Sequence, residues 1–130
     1  MTQFCDFGTL KLKRWPNQFL MLPEGFAAVA EAHETSPVFR EPPEALYDRL
    51  KSIVAAEPRI QWLSKDRGQG RMELMQRSKI FRFPDRISIA VVSANTEATL
   101  AIYSRTVFGG NDFNVNKTRV LRWITALKSG

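Results

Sequence analysis

Cysteine and histidine are nearly absent from this chain, which has only Cys5 and His33 among its 130 residues. A single cysteine excludes a disulfide framework within the chain and suits a reducing compartment. A structural zinc site needs about four Cys, His or carboxylate ligands at local spacing, and the stretch around His33 does not supply them. We therefore expect no metal and no cofactor.

Long apolar runs are missing as well. The longest are residues 19–22 and 87–92, the second interrupted at Ser88, and both are far below the roughly 18–20 residues of a membrane span. The first ten residues include Asp6 and lack the apolar stretch of a signal peptide. We expect a soluble, cytoplasmic protein with no transmembrane segment, although the basic cluster beside Trp15 leaves a peripheral membrane contact open.

No nucleophile–base pair, metal set or phosphate-binding loop stands out in the sequence. Asp112 is the one plausible acid or base near the candidate site described below, and acid–base catalysis usually needs a second group. We therefore leave enzymatic activity open and lean against it, with a hydrolase-type enzyme as the weakest of three hypotheses.

Apolar residues make up 44% of the chain, which at this length predicts one domain with a genuine core. The net charge of +6 invites a nucleic-acid or anionic-membrane partner. Most of that charge is scattered among acids, and no aromatic stacking platform accompanies a basic groove. We find no strong nucleic-acid signal, and the oligomeric state stays open.

The chain divides into two parts by pattern. Residues 1–41 show no sustained period and predict an irregular segment packed on the domain, with a short extended edge piece at residues 36–39. Residues 42–130 predict an α+β core, which begins with an amphipathic helix over residues 43–56.

Beyond residue 60 the apolar period changes to two. The alternation predicts strands over residues 60–64, 71–81, 87–92 and 98–107, joined by short turns as an antiparallel meander. A glycine turn at residues 109–110 follows, and then a long helix with Asp112 or Asn114 as its N-cap. The fold class is α+β: two layers, with a curved antiparallel sheet of four to five strands and two main helices on one face. This arrangement of strands and helices is similar to a reduced helix-grip or START-like fold.

The strand–turn–helix element holds the candidate binding site. At about 100° per residue, Asn116 falls on the apolar stripe of the last helix and Arg119 at its border, so both need buried partners or a ligand. On the helix-facing side of the sheet, Gln76, Ser78, Ser104 and Thr106 would meet them, beside Met72, Leu74, Ile80, Leu100 and Ile102. These polar groups either satisfy one another or line a small-molecule pocket. The candidate binding residues are Ser104, Arg105, Asp112, Asn114, Asn116 and Arg119.

The opposite face of the sheet would carry Arg71, Arg77, Lys79 and Arg105 beside Glu73 and Tyr103. Such a strip either holds anionic groups or is a solvated sheet face, and the solvated face is the simpler interpretation. Asp112 is expected to pair with Arg105 or with Arg119 and so to hold the turn.

Residues 101–109, followed by residues 112–116 and by Arg119 and Val120, resemble the C-terminal signature of the bacterial and plant domain-of-unknown-function family 1499. The chain departs from the family pattern at Asn114, where glycine is usual, and at Lys117, where arginine is usual. Residues 16–18, 36–39, 55–58 and 76–78 extend the resemblance over most of the chain. The resemblance implies a site pattern and no biochemical activity.

We expect a small non-catalytic domain that binds an amphipathic or anionic small ligand near the strand–turn–helix signature. The alternative is a protein-interaction module that uses the basic sheet face or the segment of residues 11–22.

Overall fold

A six-stranded sheet with two helices on one face forms the framework of the domain. The computed structural model describes residues 3–130. Its elements are β1 (Gln18–Pro23), β2 (Glu34–Ser36), α1 (Pro43–Ala55), β3 (Ile60–Asp66), β4 (Arg71–Arg77), β5 (Pro84–Ala94), β6 (Glu97–Thr106) and α2 (Val115–Ser129). The α+β class with its antiparallel meander is confirmed.

The strand order in the sheet is β2-β1-β6-β5-β4-β3. Strands β3 to β6 form the predicted meander, β1 pairs with β6 antiparallel, and β2 adds to β1 in parallel. The sheet has six strands where four to five were expected, because residues 1–41 contribute both β1 and β2 to it.

Strand β1 was not predicted because its apolar residues are continuous. Phe19 and Met21 pack in the core under the helices, while Leu20 and Leu22 pack in a second apolar cluster on the other face. A strand covered on both faces has no polar side to mark its period.

Helix α1 forms where the sequence predicts it. Pro43 stands in the first turn, where its missing N–H costs nothing, and Leu46, Leu50 and Val54 are buried against the sheet. Trp123 of α2 belongs to the same core. Neither helix in residues 3–130 is long and apolar enough to cross a membrane.

The hairpin between β3 and β4 depends on Gly70. Its φ is +71°, and a Cβ added there would lie 2.5 Å from the Val91 carbonyl oxygen, so only glycine fits without a shift of the backbone. The next hairpin begins earlier than expected, because β4 ends at Arg77. Ser78 and Ile80 therefore leave the helix-facing side of the sheet, and Ile80 is 79% exposed in the loop.

The N-terminal segment covers the sheet face opposite the helices. Phe7 is buried there against Leu20, Ala101 and Tyr103, with Phe26 partly buried beside them. The interpretation of this face as solvated is wrong where these residues lie. The reason is that the segment before β1, together with residues 26–32, supplies a second apolar layer.

Candidate functional site

Helix α2 begins at a loop held by Asp112. Asp112 Oδ1 accepts a hydrogen bond from the Asn114 backbone N–H at 3.0 Å, and Oδ2 accepts one from the Asn116 N–H at 3.2 Å. Asn114 occupies the N-cap position with φ 65° and makes no side-chain cap bond. Of the two predicted N-caps, Asn114 has the position, while Asp112 satisfies the free N–H of the first turn.

Asn116 is fully buried on α2, as its helical position predicts. Its Oδ1 accepts from Ser104 Oγ at 2.6 Å and from Arg119 Nη1 at 2.8 Å. Its Nδ2 faces three acceptors at 3.2, 3.0 and 2.7 Å, which are the Asn17 carbonyl oxygen, Thr106 Oγ1 and Asp112 Oδ2. The amide is satisfied by the protein, so it ties α2 to β6 without a ligand.

Arg119 links α2 to three strands of the sheet. Its Nε donates to Gln76 Oε1 at 2.6 Å and its Nη2 to Asp85 Oδ2 at 2.8 Å. Its Nη1 donates to Ser104 Oγ at 3.0 Å and to Asn116 Oδ1. A guanidinium has five N–H donors, so these four contacts leave the second N–H of Nη2 for another acceptor.

The carboxylate that pairs with Arg119 is Asp85. The expected pairs of Asp112 with Arg105 or with Arg119 are wrong, because the Asp112 carboxylate caps α2 and binds Asn116. The strands predicted over residues 71–81 and 87–92 leave Asp85 in the turn between them. The alternation of Asp85, Ile87 and Ile89 along β5 was the signal that could have placed its side chain under α2.

A second buried charge network lies on the other face of the sheet. Glu73 Oε1 accepts from Ser88 Oγ at 2.7 Å and from Arg86 Nη2 at 3.0 Å, and its Oε2 accepts from the Cys5 backbone N–H at 2.9 Å. Arg105 donates to Ser88 Oγ at 2.8 Å. Burial lowers the pKa of Arg105, and the Glu73 charge opposes that effect.

Arg105 therefore lies apart from Asn116, because neighbours along a strand point to opposite faces and Ser104 faces α2. The N-terminal segment also covers Arg71, whose Nη2 donates to the Cys5 carbonyl oxygen. The expected basic strip is thus partly enclosed by the N-terminal segment. In the enclosed part, the basic side chains contact backbone groups and Glu73 instead of water.

A groove of about 530 Å³ opens beside the Arg119 network, along the start of α2. We call it the arginine groove, after its charged lining: Arg59, Arg77, Arg119 and Arg122, with Glu57 and Asp85. Both carboxylates already have arginine partners, Glu57 in Arg122 and Asp85 in Arg119. The groove therefore keeps an excess of positive charge.

Glu57 is held in its charged form. Its partial burial acts to raise the pKa of the carboxyl group, but hydrogen bonds from Arg122 and Gln76 and the Arg122 charge outweigh this and leave the pKa below its usual value. Glu57 is thus a fixed anion that orients Arg122 at the rim of the groove.

Asp112 and Asn114 face a different groove of about 470 Å³, shared with Lys117 and His33. The six predicted site residues therefore separate into groups. Ser104, Asn116 and Arg119 form the buried network with Asp112 at its edge, Asn114 is exposed, and Arg105 lies on the other face.

The chemistry available at the arginine groove is anion binding. Asp85 and Asp112, the two carboxylates that bind Arg119 and Asn116, both accept hydrogen bonds from neighbouring protein groups. No three His, Cys, Asp or Glu side chains in residues 3–130 are grouped to hold a metal ion. Guanidinium groups recognise carboxylates and phosphates through paired N–H donors, and here several of them share one groove.

Fold and site together define a small α+β domain whose last helix is anchored by a buried Asn–Arg–Asp network beside a basic groove. The family model described as "Protein of unknown function (DUF1499)" matches residues 13–127. The chain belongs to this family, which confirms the resemblance noted in the sequence. A search of curated proteins finds no match to the chain.

Proposed function

We propose that this domain is a non-catalytic binding module that takes an anionic or amphipathic small molecule into the arginine groove. The observation that carries the proposal is the charge of the groove, which is lined by four arginines and by two carboxylates that already have partners. An anionic head group would supply the missing counter-charge.

The donors for such a head group are in place. Arg119 keeps one N–H of Nη2, and the whole side chain is held by the buried network, so little conformational entropy would be lost on binding. Arg59 binds the Arg77 carbonyl oxygen through Nε at 2.8 Å, which leaves its two Nη groups for an acceptor.

The apolar part of an amphipathic ligand would lie against Phe113 and Val115 at the rim of the groove. Phe113 is 84% exposed. It also has φ 51°, a left-handed conformation that is rare for a bulky side chain. A residue held in this conformation with its ring in solvent is typical of a site where strain serves binding.

The alternative of a protein-interaction module on the basic sheet face has less support, because the N-terminal segment packs on that face. The enzyme hypothesis has even less support. Asp85 and Asp112 are engaged in hydrogen bonds and line different grooves, and Glu57, the other carboxylate in the groove of Asp85, is paired with Arg122.

The test compares octyl phosphate, inorganic phosphate and neutral octyl glucoside as probes, by thermal shift and titration calorimetry. We expect octyl phosphate to bind more tightly than either of the others. Arg59→Gln should weaken octyl phosphate binding by about tenfold, the loss of one charge-assisted contact. Arg40→Gln, an exposed arginine away from the groove, is the matched control and should leave the affinity unchanged.

Equal affinity for octyl phosphate in the Arg59→Gln and Arg40→Gln variants would contradict the proposal. So would the absence of a thermal shift with octyl phosphate in the unmodified protein. Phe113→Ser then separates head-group from chain recognition, because it should weaken octyl phosphate binding and leave inorganic phosphate unaffected.

A further inference from the structure

Three chain segments meet at one end of the sheet. They are residues 13–17 before β1, residues 78–83 between β4 and β5, and residues 107–114 between β6 and α2. The strand register brings them together, because Arg77 pairs with Pro84, Asp85 with Thr106, and Gln18 with Arg105. We call this the aromatic end.

Contacts between the segments fix their arrangement. The Val107 N–H donates to the Pro84 carbonyl oxygen at 3.2 Å, and Asn17 Nδ2 donates to the Gly109 carbonyl oxygen at 2.7 Å. Trp15 packs against Gly110. Residues 107–114 therefore contact both residues 13–17 and Pro84, the first residue of β5, which follows the loop of residues 78–83.

The aromatic end is unusually apolar for a surface that faces water. Ten large apolar side chains are exposed in residues 3–130, and all except Val29 and Val38 belong to the aromatic end or to the first residue of α2. They are Trp15, Ile80, Phe81, Phe83, Val107, Phe108, Phe113 and Val115. Exposed apolar side chains grouped in this way mark an interaction site.

The side chains are arranged to meet a partner from outside. Phe81 and Phe83 stack on each other at 5.6 Å between ring centroids, in a loop closed by the Ser78 N–H, which donates to the Phe83 carbonyl oxygen at 2.9 Å. The loop is thus ordered by its own contacts while its rings stay in solvent. Trp15, which precedes β1 and lies at Gly110, is 60% exposed.

The charges at this end are mostly positive. The segments of residues 13–17 and 78–83 contain no acidic residue, and with the end of β4 they carry five basic ones: Lys13, Arg14, Arg77, Lys79 and Arg82. In the third segment Asp112 is the one acid, and its carboxylate is taken up at the start of α2. Basic residues interleaved with exposed aromatic ones complement an anionic lipid surface, where rings enter the head-group region and cations remain at the lipid phosphates.

We propose that the aromatic end docks this domain on an anionic lipid bilayer. Phe81, Phe83 and Phe108 insert at the interface, Trp15 lies at head-group level, and the surrounding lysines and arginines contact lipid phosphates. The arginine groove shares Ser78 and Phe113 with this end, so it opens beside the bilayer in the docked state. Docking itself does not depend on what the groove binds.

The test is sedimentation with vesicles of phosphatidylcholine mixed with phosphatidylglycerol, against vesicles of phosphatidylcholine alone. We expect the protein to partition onto the anionic vesicles at low salt and to be released as salt rises. Each cation removed should weaken binding about fivefold, so the variant Lys79→Gln with Arg82→Gln should bind at least tenfold more weakly. Lys51→Gln, an exposed lysine on α1, is the charge control.

A separate variant tests the contribution of the apolar side chains to vesicle binding. Phe81→Ser with Phe83→Ser should weaken vesicle binding by about tenfold or more, since two rings no longer leave water. Val38→Ser, exposed elsewhere, should have no effect. Trp15 fluorescence should shift to the blue on binding and be quenched by brominated lipid, and the Trp15→Phe variant should lose both signals.

Failure of the protein to bind anionic vesicles would overturn the proposal, as would equal loss of binding in the Val38→Ser control. If analytical ultracentrifugation showed a dimer that Phe81→Ser with Phe83→Ser dissociates, and no vesicle binding, the surface would be an interface between two copies instead. Octyl phosphate binding should survive the Phe81→Ser and Phe83→Ser changes, because neither ring lines the arginine groove. The two proposals can therefore fail separately.

Discussion

Two buried charge networks lie on opposite faces of the same sheet, and they differ in how far each charge is removed from water. In the Arg119–Asp85 pair the two side chains are 6% and 13% exposed. In the Arg86–Glu73 pair the carboxylate is 1% exposed but the arginine is 27% exposed. The first pair encloses both charges, whereas the second encloses only the anion.

The networks also differ in what builds them. Strands β4, β5 and β6 and helix α2 supply the side chains around Arg119 in the first, and the Asn17 carbonyl oxygen and Asp112 join it through Asn116. The second includes the Cys5 backbone N–H, so the N-terminal segment is part of it. The contrast predicts that the first network contributes more to the stability of the whole domain, and that the second attaches the N-terminal cover through Cys5.

The largest effect is expected from Arg119→Met. This change leaves Asp85 buried without its partner, and removal of one member of a buried ion pair costs about 3–5 kcal/mol of unfolding free energy. Urea unfolding followed by circular dichroism measures it. The control Arg122→Met removes an arginine that is half exposed and should cost no more than about 1 kcal/mol.

Adding Asp85→Asn to Arg119→Met should recover part of the loss, because the stranded charge is then gone. Equal stability of the Arg119→Met and Arg122→Met variants would mean that Asp85 finds water in the groove, and the distinction between the two networks would disappear.

A smaller effect is expected from Glu73→Gln. The amide keeps an acceptor for Ser88, and Arg86 can turn toward solvent, so the loss should be about 1–3 kcal/mol by the same urea measurement. Glu31→Gln, an exposed acid, serves as the control. A loss greater than that of Arg119→Met would reverse the order of the two networks.

The smallest effect is expected on the rate at which iodoacetamide modifies Cys5. Burial raises the pKa of the Cys5 thiol, so at mildly alkaline pH the folded protein should react with iodoacetamide several times more slowly than the urea-unfolded chain. Glu73→Gln should speed the reaction by loosening the N-terminal cover, and Arg122→Met should not. Mass spectrometry follows the modification. An unchanged rate in Glu73→Gln would separate Glu73 from the attachment of the cover.

Local patterns predicted the elements whose two sides differ in polarity. The stripe of Leu46, Leu50 and Val54 marked α1, and strand alternation marked the meander, because each has a solvent or polar side. Strand β1 has none, so its apolar run carried no period. Strand β2 is three residues long and overlaps the extended edge piece expected at residues 36–39 only at Ser36.

In the candidate site, too, only the features that depend on local pattern were predictable. The burial of Asn116 followed from helix geometry alone. Its partners follow from which strands lie beneath α2 and in what register, and these depend on the whole sheet. Asp85 was missed for this reason. Arg105 was grouped with Asn116 in the candidate site, although strand alternation had placed it on the opposite face of the sheet, where it lies.

The position of β1 has a consequence for synthesis on the ribosome. This strand is among the first parts of the domain to emerge, yet its antiparallel neighbour is β6, nearly the last. Until β6 has been translated, Phe19 and Leu20 have no sheet to join, and the nascent chain carries an unpaired apolar edge. Folding of this domain is therefore completed only after most of the polypeptide has been released.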